Sequence, residues 1–76
     1  MKEILETIIS NLVDDKDAID IKEIAGEKTT VFEVKVAEND MGKVIGRQGV
    51  IAKSIRNVMQ AVASREKKKV SVEFIG

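Results

Sequence analysis

The chain has 76 residues, and its 13 basic and 13 acidic side chains cancel to a formal charge of zero. It has no cysteine, histidine, tyrosine or tryptophan, which excludes disulfides, thiolate metal sites, most zinc sites and histidine-based nucleophile systems. At this length residues 1–76 form one domain that buries only about 60% of its unfolded surface, and with no apolar run of membrane length and no signal-like start the expectation is a small cytoplasmic protein.

Ile4, Leu5, Ile8, Ile9 and Leu12 recur at helical spacing and predict an amphipathic helix over about residues 2–13, with Lys2, Glu3 and Glu6 on its polar face. Asp14-Asp15-Lys16-Asp17 ends it as a solvated turn. Ile19 and Ile21 alternate with Asp20 and Lys22, which predicts a strand over about 18–25; Ile24 is out of phase and points to a bulge or a frayed end. Gly26-Glu27-Lys28 reads as a hairpin turn, with Gly26 the residue able to take positive φ. Phe32, Val34 and Val36 alternate with Glu33 and Lys35 in a second strand over about 29–37.

Asn39 and Asp40 are capping residues for a short helix from Asp40 to Ile45, ended by Gly46. Ile51, Ile55, Val58, Met59 and Val62 share one face of a long helix from about Val50 to Glu66, with Val50 and Ala61 off that stripe and partly exposed. Lys67-Lys68-Lys69 suits the C-terminus of that helix. Val70, Val72 and Phe74 alternate with Ser71 and Glu73 in a third strand over about 69–75. The order is α-β-β-α-α-β. A hairpin pairs the first two strands antiparallel, and the helical crossover favours a parallel third strand. The expected fold is α+β: a three-stranded mixed sheet with three helices packed on one face.

The neutral total hides a division. Residues 1–40 carry five lysines against eleven acids, and residues 41–76 carry eight basic groups against two acids. Either the halves fold together and pair their charges, or the second half is a footprint for a polyanion. Asp14, Asp15, Asp17 and Asp20 lack the glycine and glutamate spacing of a calcium loop and read as a solubilising turn. No metal and no cofactor are expected.

Val44-Ile45-Gly46-Arg47-Gln48-Gly49 lies between two predicted helices. A lone G-x-x-G is a weak signal, and a tight helix–helix turn is its simplest explanation. Walker A and dinucleotide-binding patterns both fail here. Yet neither glycine presents a β-carbon, so a phosphodiester backbone can approach closely. The following helix start offers unpaired N–H groups and the positive end of a dipole. Arg47 adds a charged donor and Gln48 a neutral one.

These residues resemble the signature of the KH domain, a module that clamps about four nucleotides of single-stranded nucleic acid through a GXXG loop. The element order is similar to the type II prokaryotic form. Across the whole chain, and most specifically in Gly42 to Gly49 followed by Ile51-Ala52-Lys53-Ser54-Ile55-Arg56, the sequence resembles the KhpA family of small bacterial KH proteins.

That resemblance implies a non-catalytic, single-stranded-RNA-binding protein with no small-molecule substrate and no membrane partner. It further implies a post-transcriptional regulator or RNA chaperone, linked to cell shape, elongation or division. Homodimers, or pairing with a larger KH protein of the KhpB or Jag type, are the implied assemblies. Carried onto this chain, Gly46, Arg47, Gln48 and Gly49 form the clamp, with Arg47 foremost. Val44, Ile45 and the Ile51–Ile55 region floor the groove, though core packing is the larger role of Ile45, Ile51 and Ile55. Lys43, Lys53 and Arg56 track phosphates, and Lys67, Lys68 and Lys69 either extend that track or solvate a helix end.

Ala52 departs from the large aliphatic usual three residues after the second glycine, which bears on groove depth. The absence of Tyr and Trp argues against base-stacking platforms of the RRM or OB type. The rival reading is a protein–protein adaptor that uses the same fold to dimerise.

Overall fold

Helix α1 (Lys2–Leu12) opens the computed structural model, which describes residues 1–75. Its Leu5 and Ile9 are fully buried, and Ile8 and Leu12 pack at the margin of the core. Val13 stops the helix by turning extended (φ −100°, ψ 155°) while burying its own side chain. A 3-10 turn at Lys16–Ala18 then occupies part of the acidic segment, so strand β1 (Asp20–Ala25) starts later than the alternation predicts.

Strand β2 (Thr29–Lys35) pairs with β1 in unbroken antiparallel register, from Asp20 opposite Lys35 to Ala25 opposite Thr30. Ile24 therefore marks no bulge. It sits opposite Val31 on the open face of the sheet, 44% exposed. The hairpin turn forms where the sequence predicts it, although Gly26 does not use its freedom to take positive φ. Its N–H donates to the Thr29 carbonyl at 2.9 Å, and a β-carbon on it would stand 2.8 Å from that same oxygen. Close approach, not a left-handed turn, makes glycine the fitting residue there.

After a 3-10 turn at Glu38–Asp40, helix α2 is a short segment, Met41–Ile45. Asp40 holds the N-cap position as expected, but its carboxylate makes no capping bond. It turns instead to Asp15 and Lys43, as described below. Helix α3 (Val50–Arg65) leads into strand β3 (Lys69–Ile75), which pairs parallel with β2 from Thr29–Lys69 to Lys35–Ile75. The strand order is β1-β2-β3, with β3 at an edge.

Ile21, Phe32, Val34 and Val72 line the covered face of the sheet, against Leu5, Ile9, Val44, Ile55 and Met59 from the three helices. Each large side chain fully buried here contributes about 1.5–3 kcal/mol. The inward face of α3 is Ala52, Ile55, Met59 and Ala63. That differs from the expected stripe: Val58 is 46% exposed and Val62 only half-buried. The two alanines let the helix lie close to its neighbours, and that packing decides the rotation that residue size alone misjudges. At its C-terminus Lys67 takes φ +58°. The N–H groups of Lys67 and Lys68 then close back on the Ser64 and Ala63 carbonyls at 3.1 and 2.9 Å, a Schellman ending built without glycine.

Candidate nucleic-acid interface

The segment between α2 and α3 is held by backbone geometry. The Gly46 N–H donates to the Gly42 carbonyl at 2.9 Å and closes α2. Gly46 itself lies at φ +78°, ψ 175°, a region essentially reserved for glycine. Gln48 is left-handed at φ +57°, ψ 23°, and Gly49 at φ +77°, ψ 14°. Gly49 N–H donates to Gly46 O at 3.2 Å, and the chain then enters α3.

The two glycines serve different purposes. A β-carbon on Gly46 would stand 2.6 Å from Ile51 Cγ1, so this glycine lets α3 pack against the loop. A β-carbon on Gly49 would have nothing within 4 Å, so its surface faces open space where another molecule can lie against the backbone. Arg47 and Gln48 are exposed, and neither side chain hydrogen-bonds to the protein among the described residues. No side chain caps the N-terminus of the 16-residue α3. The Val50 N–H is taken by the Arg47 carbonyl, and the N–H groups that follow it in the first turn of α3 have no side-chain cap.

The structure sorts the aliphatic residues. Val44 and Ile55 are buried and belong to the core. Ile45 and Ile51 are half-buried, packing against the core while keeping surface beside the loop. Ala52 is 3% exposed and is packed, so the small residue marks tight helix contact at the site of the usual large aliphatic.

The basic residues also separate. Lys43 is committed within the protein: its ammonium pairs with Asp14 and, at 3.1 Å, with Asp40 Oδ1. Asp40, nearly inaccessible, accepts the Asp15 N–H on its other oxygen at 3.0 Å. That backbone bond, aided by Lys43, holds its carboxyl below the usual carboxylate value in spite of burial. Lys43 is in turn raised, by Asp14 first and then Asp40. The acidic turn is thus tied to the helix that precedes the glycine loop. Sequence spacing gave no sign of this link, since Asp14 and Lys43 are far apart in the chain.

Lys53 is exposed and unpaired among the described residues. Arg56 lies one turn further along α3, where its Nε donates to the Val72 carbonyl at 3.0 Å and its guanidinium carbon sits 5.7 Å from the Phe74 ring centroid. Gln60 follows on the same face, its Oε1 accepting the Val70 N–H at 3.4 Å. Arg56 and Gln60 therefore line the outer edge of β3, and Lys53 precedes Arg56 by one turn of α3. Gln60 and Phe74 were not legible as part of this surface; the i, i+4 relation of Gln60 to Arg56 is the one sequence signal that points to it. Lys67, Lys68 and Lys69 lie beyond the other end of α3, about 24 Å from the loop for a helix of 16 residues. They adjoin the hairpin turn, where Lys69 N–H reaches Lys28 O at 3.1 Å.

These contacts also decide between the two explanations of the divided charge. Of the eight basic groups in residues 41–76, Lys43 alone is ion-paired among the described residues. Mutual pairing of the halves is not where the positive charge goes.

Comparison with known proteins agrees with the loop and the element order. The family profile described as KhpA/KhpB, KH domain, matches residues 2–74, from the start of α1 into β3. The chain belongs to the KhpA/KhpB family of KH domains. It is 53% identical over 75 residues to the RNA-binding protein KhpA of Clostridium acetobutylicum, spanning 99% of this chain and 100% of that one. The RNA-binding protein KhpA of Caldanaerobacter subterraneus subsp. tengcongensis is 51% identical with the same coverage. That of Chlamydia trachomatis is 44% identical, covering 96% of the relative. No solved structure matches significantly. Gly46-Arg47-Gln48-Gly49 carries G-x-x-G spacing between α2 and α3, and the α-β-β-α-α-β order with a parallel β3 is the expected type II arrangement.

Proposed function

We propose that this KH domain, acting as one unit over residues 1–76, binds single-stranded RNA in the cytoplasm without catalysing a reaction. The observation that carries the reading is the loop itself: glycine backbone open at Gly49, Arg47 and Gln48 side chains that are unpaired among the described residues, and a helix start behind them that no side chain caps. Phosphates of about four nucleotides lie along Gly46–Gly49 and the first turn of α3. Arg47 supplies a charge-assisted hydrogen bond and Gln48 a neutral one. Ile45 and Ile51 meet sugars and bases, and Lys53 extends the positive track. Lys43 contributes mainly by fixing α2, and Lys67, Lys68 and Lys69 only reach RNA longer than the clamped segment.

The name of the relatives, RNA-binding protein KhpA, supports this reading. We further propose work as a regulator or chaperone of RNA, in a dimer or with a larger KhpB- or Jag-like KH protein, in the control of cell shape. The assembly is supported by the outer face of α3, where Val50 is 60% and Val58 46% exposed and Ala61 is exposed beside them.

The test is Arg47→Asp with Gln48→Asp, which should abolish RNA binding while helical circular dichroism is retained. Native affinity in the folded double variant refutes the site. The exposed α3 face also favours a second reading, an adaptor that binds protein only. Salt titration separates them: RNA binding should weaken with a log–log slope of about −0.7 per phosphate contact. A dimer with no RNA affinity at low salt favours the adaptor.

A further inference from the structure

The chain has two aromatic residues. Phe32 is fully buried, whereas Phe74 on edge strand β3 is only half-buried. One side of the Phe74 ring packs toward the core, and the Arg56 guanidinium lies over it with Cζ 5.7 Å from the centroid. The Nε–H of Arg56 is also fixed, donating to Val72 O at 3.0 Å. Arg56 is nevertheless exposed. Its side chain is thus held at two points, while among the described residues the other guanidinium N–H groups are unpaired and the group keeps surface toward solvent.

A guanidinium held in this way is a planar surface on which a nucleobase stacks. Restraint by Phe74 and Val72 reduces the entropy lost when the base arrives. Position agrees. Arg56 lies seven residues past Gly49, about 10 Å along α3, so a strand clamped at the loop and running along that helix passes it. Lys53, unpaired among the described residues, has the character of a phosphate contact. Arg56 does not.

We infer that Arg56, seated on Phe74, is a platform for one base, with purines favoured over pyrimidines, rather than a contact to phosphate. The inference rests on the RNA-binding reading above. It assigns a stacking surface to a chain that has neither Tyr nor Trp.

Removing a base while keeping its phosphate separates the two roles. The intact protein is titrated with an end-labelled, adenine-rich RNA octamer, and with the same octamer carrying one abasic position moved along its length. For the native protein, one abasic position should weaken binding about ten-fold, within the range for a stacked base. Arg56→Lys keeps the charge but not the plane. It should weaken the complete octamer by about the same factor, leave the salt slope unchanged, and erase the penalty at that one position. Phe74→Leu, which keeps apolar volume without a ring, should reduce the same penalty, and thermal melts confirm that both variants are folded.

Native affinity in Arg56→Lys, or an abasic penalty that persists undiminished in it, overturns the platform. A flat abasic profile, with binding still lost in the Arg47 and Gln48 double variant, overturns the platform and keeps the loop. A native protein that binds no octamer overturns both.

Discussion

Alanine at Gly46 meets two separate obstacles, and their sum can be worked from the geometry. At φ +78°, ψ 175° the backbone lies where a residue with a β-carbon is strained by about 1–3 kcal/mol. The added carbon would also stand 2.6, 2.9 and 3.0 Å from Cγ1, Cδ1 and Cβ of Ile51. Because the Ile51 branch point is itself in contact, turning χ1 exchanges one clash for another. Overpacking of this kind costs about 1–3 kcal/mol more.

Gly46→Ala should therefore lose about 2–6 kcal/mol, a large part of the roughly 5–15 kcal/mol that holds a small domain together. Its thermal midpoint should fall by at least about 8 °C. Gly49→Ala is the control: at φ +77° with no neighbour within 4 Å, only the left-handed cost of about 1–2 kcal/mol applies. Urea unfolding followed by circular dichroism measures both. In an Ile51→Ala background the Gly46→Ala cost should shrink by about 1 kcal/mol or more, since two of the three clashing atoms are gone. Equal costs at the two glycines, or a Gly46→Ala cost indifferent to Ile51, refute the reasoning.

Lys67→Gly should raise stability by about 0.5–1 kcal/mol, because glycine takes the φ of +58° without strain but gains freedom in the unfolded chain; an unchanged urea midpoint counts against it. Met59→Ala should cost about 2–5 kcal/mol and the adjacent Val58→Ala about 0.5 kcal/mol or less, so comparable losses would place α3 in the wrong rotation. Asp40 has a lowered folded-state pKa, so its stabilisation is complete above about pH 3.9 and fades as pH falls through the lower folded value. Thermal midpoints of Asp40→Asn should accordingly lie below native at neutral pH and converge with it in acid, and a constant gap at every pH refutes the assignment.

Where side chains alternate or recur by large apolar size, the sequence was sufficient to place the elements. Phe32 and Val34 mark β2, which ends one residue before Val36 of the same alternation, and Ile55 and Met59 mark α3. What escaped has a physical reason in each case. Ala52 and Ala63 are buried because they are small, whereas hydrophobic periodicity favours large side chains such as Val58. Gly26 is needed for a carbonyl contact that exists only once the hairpin closes. Asp40 looked like a helix cap because capping is local, whereas its actual partner at Asp15 lies 25 residues away in the chain. At the loop, glycine spacing was visible but its division of labour was not. Only the position of Ile51 shows that Gly46 serves packing and Gly49 leaves access. Lys43 and Arg56 looked alike as nearby positive charges. Asp14 and Phe74, each distant in sequence, separate their roles.

Strand β1, with Asp20 and Glu23 against Lys22, and the lysine run that leads into β3 occupy opposite edges of the sheet, and Lys43 alone bridges the charged halves among the described residues. A body with no net charge but separated signs behaves as an electric dipole. At long range a polyanion exerts torque on it rather than pull. Within a Debye length, about 8 Å at physiological ionic strength, that torque presents the positive side first. Salt should then slow association by randomising the angle of approach, and the fraction of collisions that are productive becomes a property of the fold's charge layout.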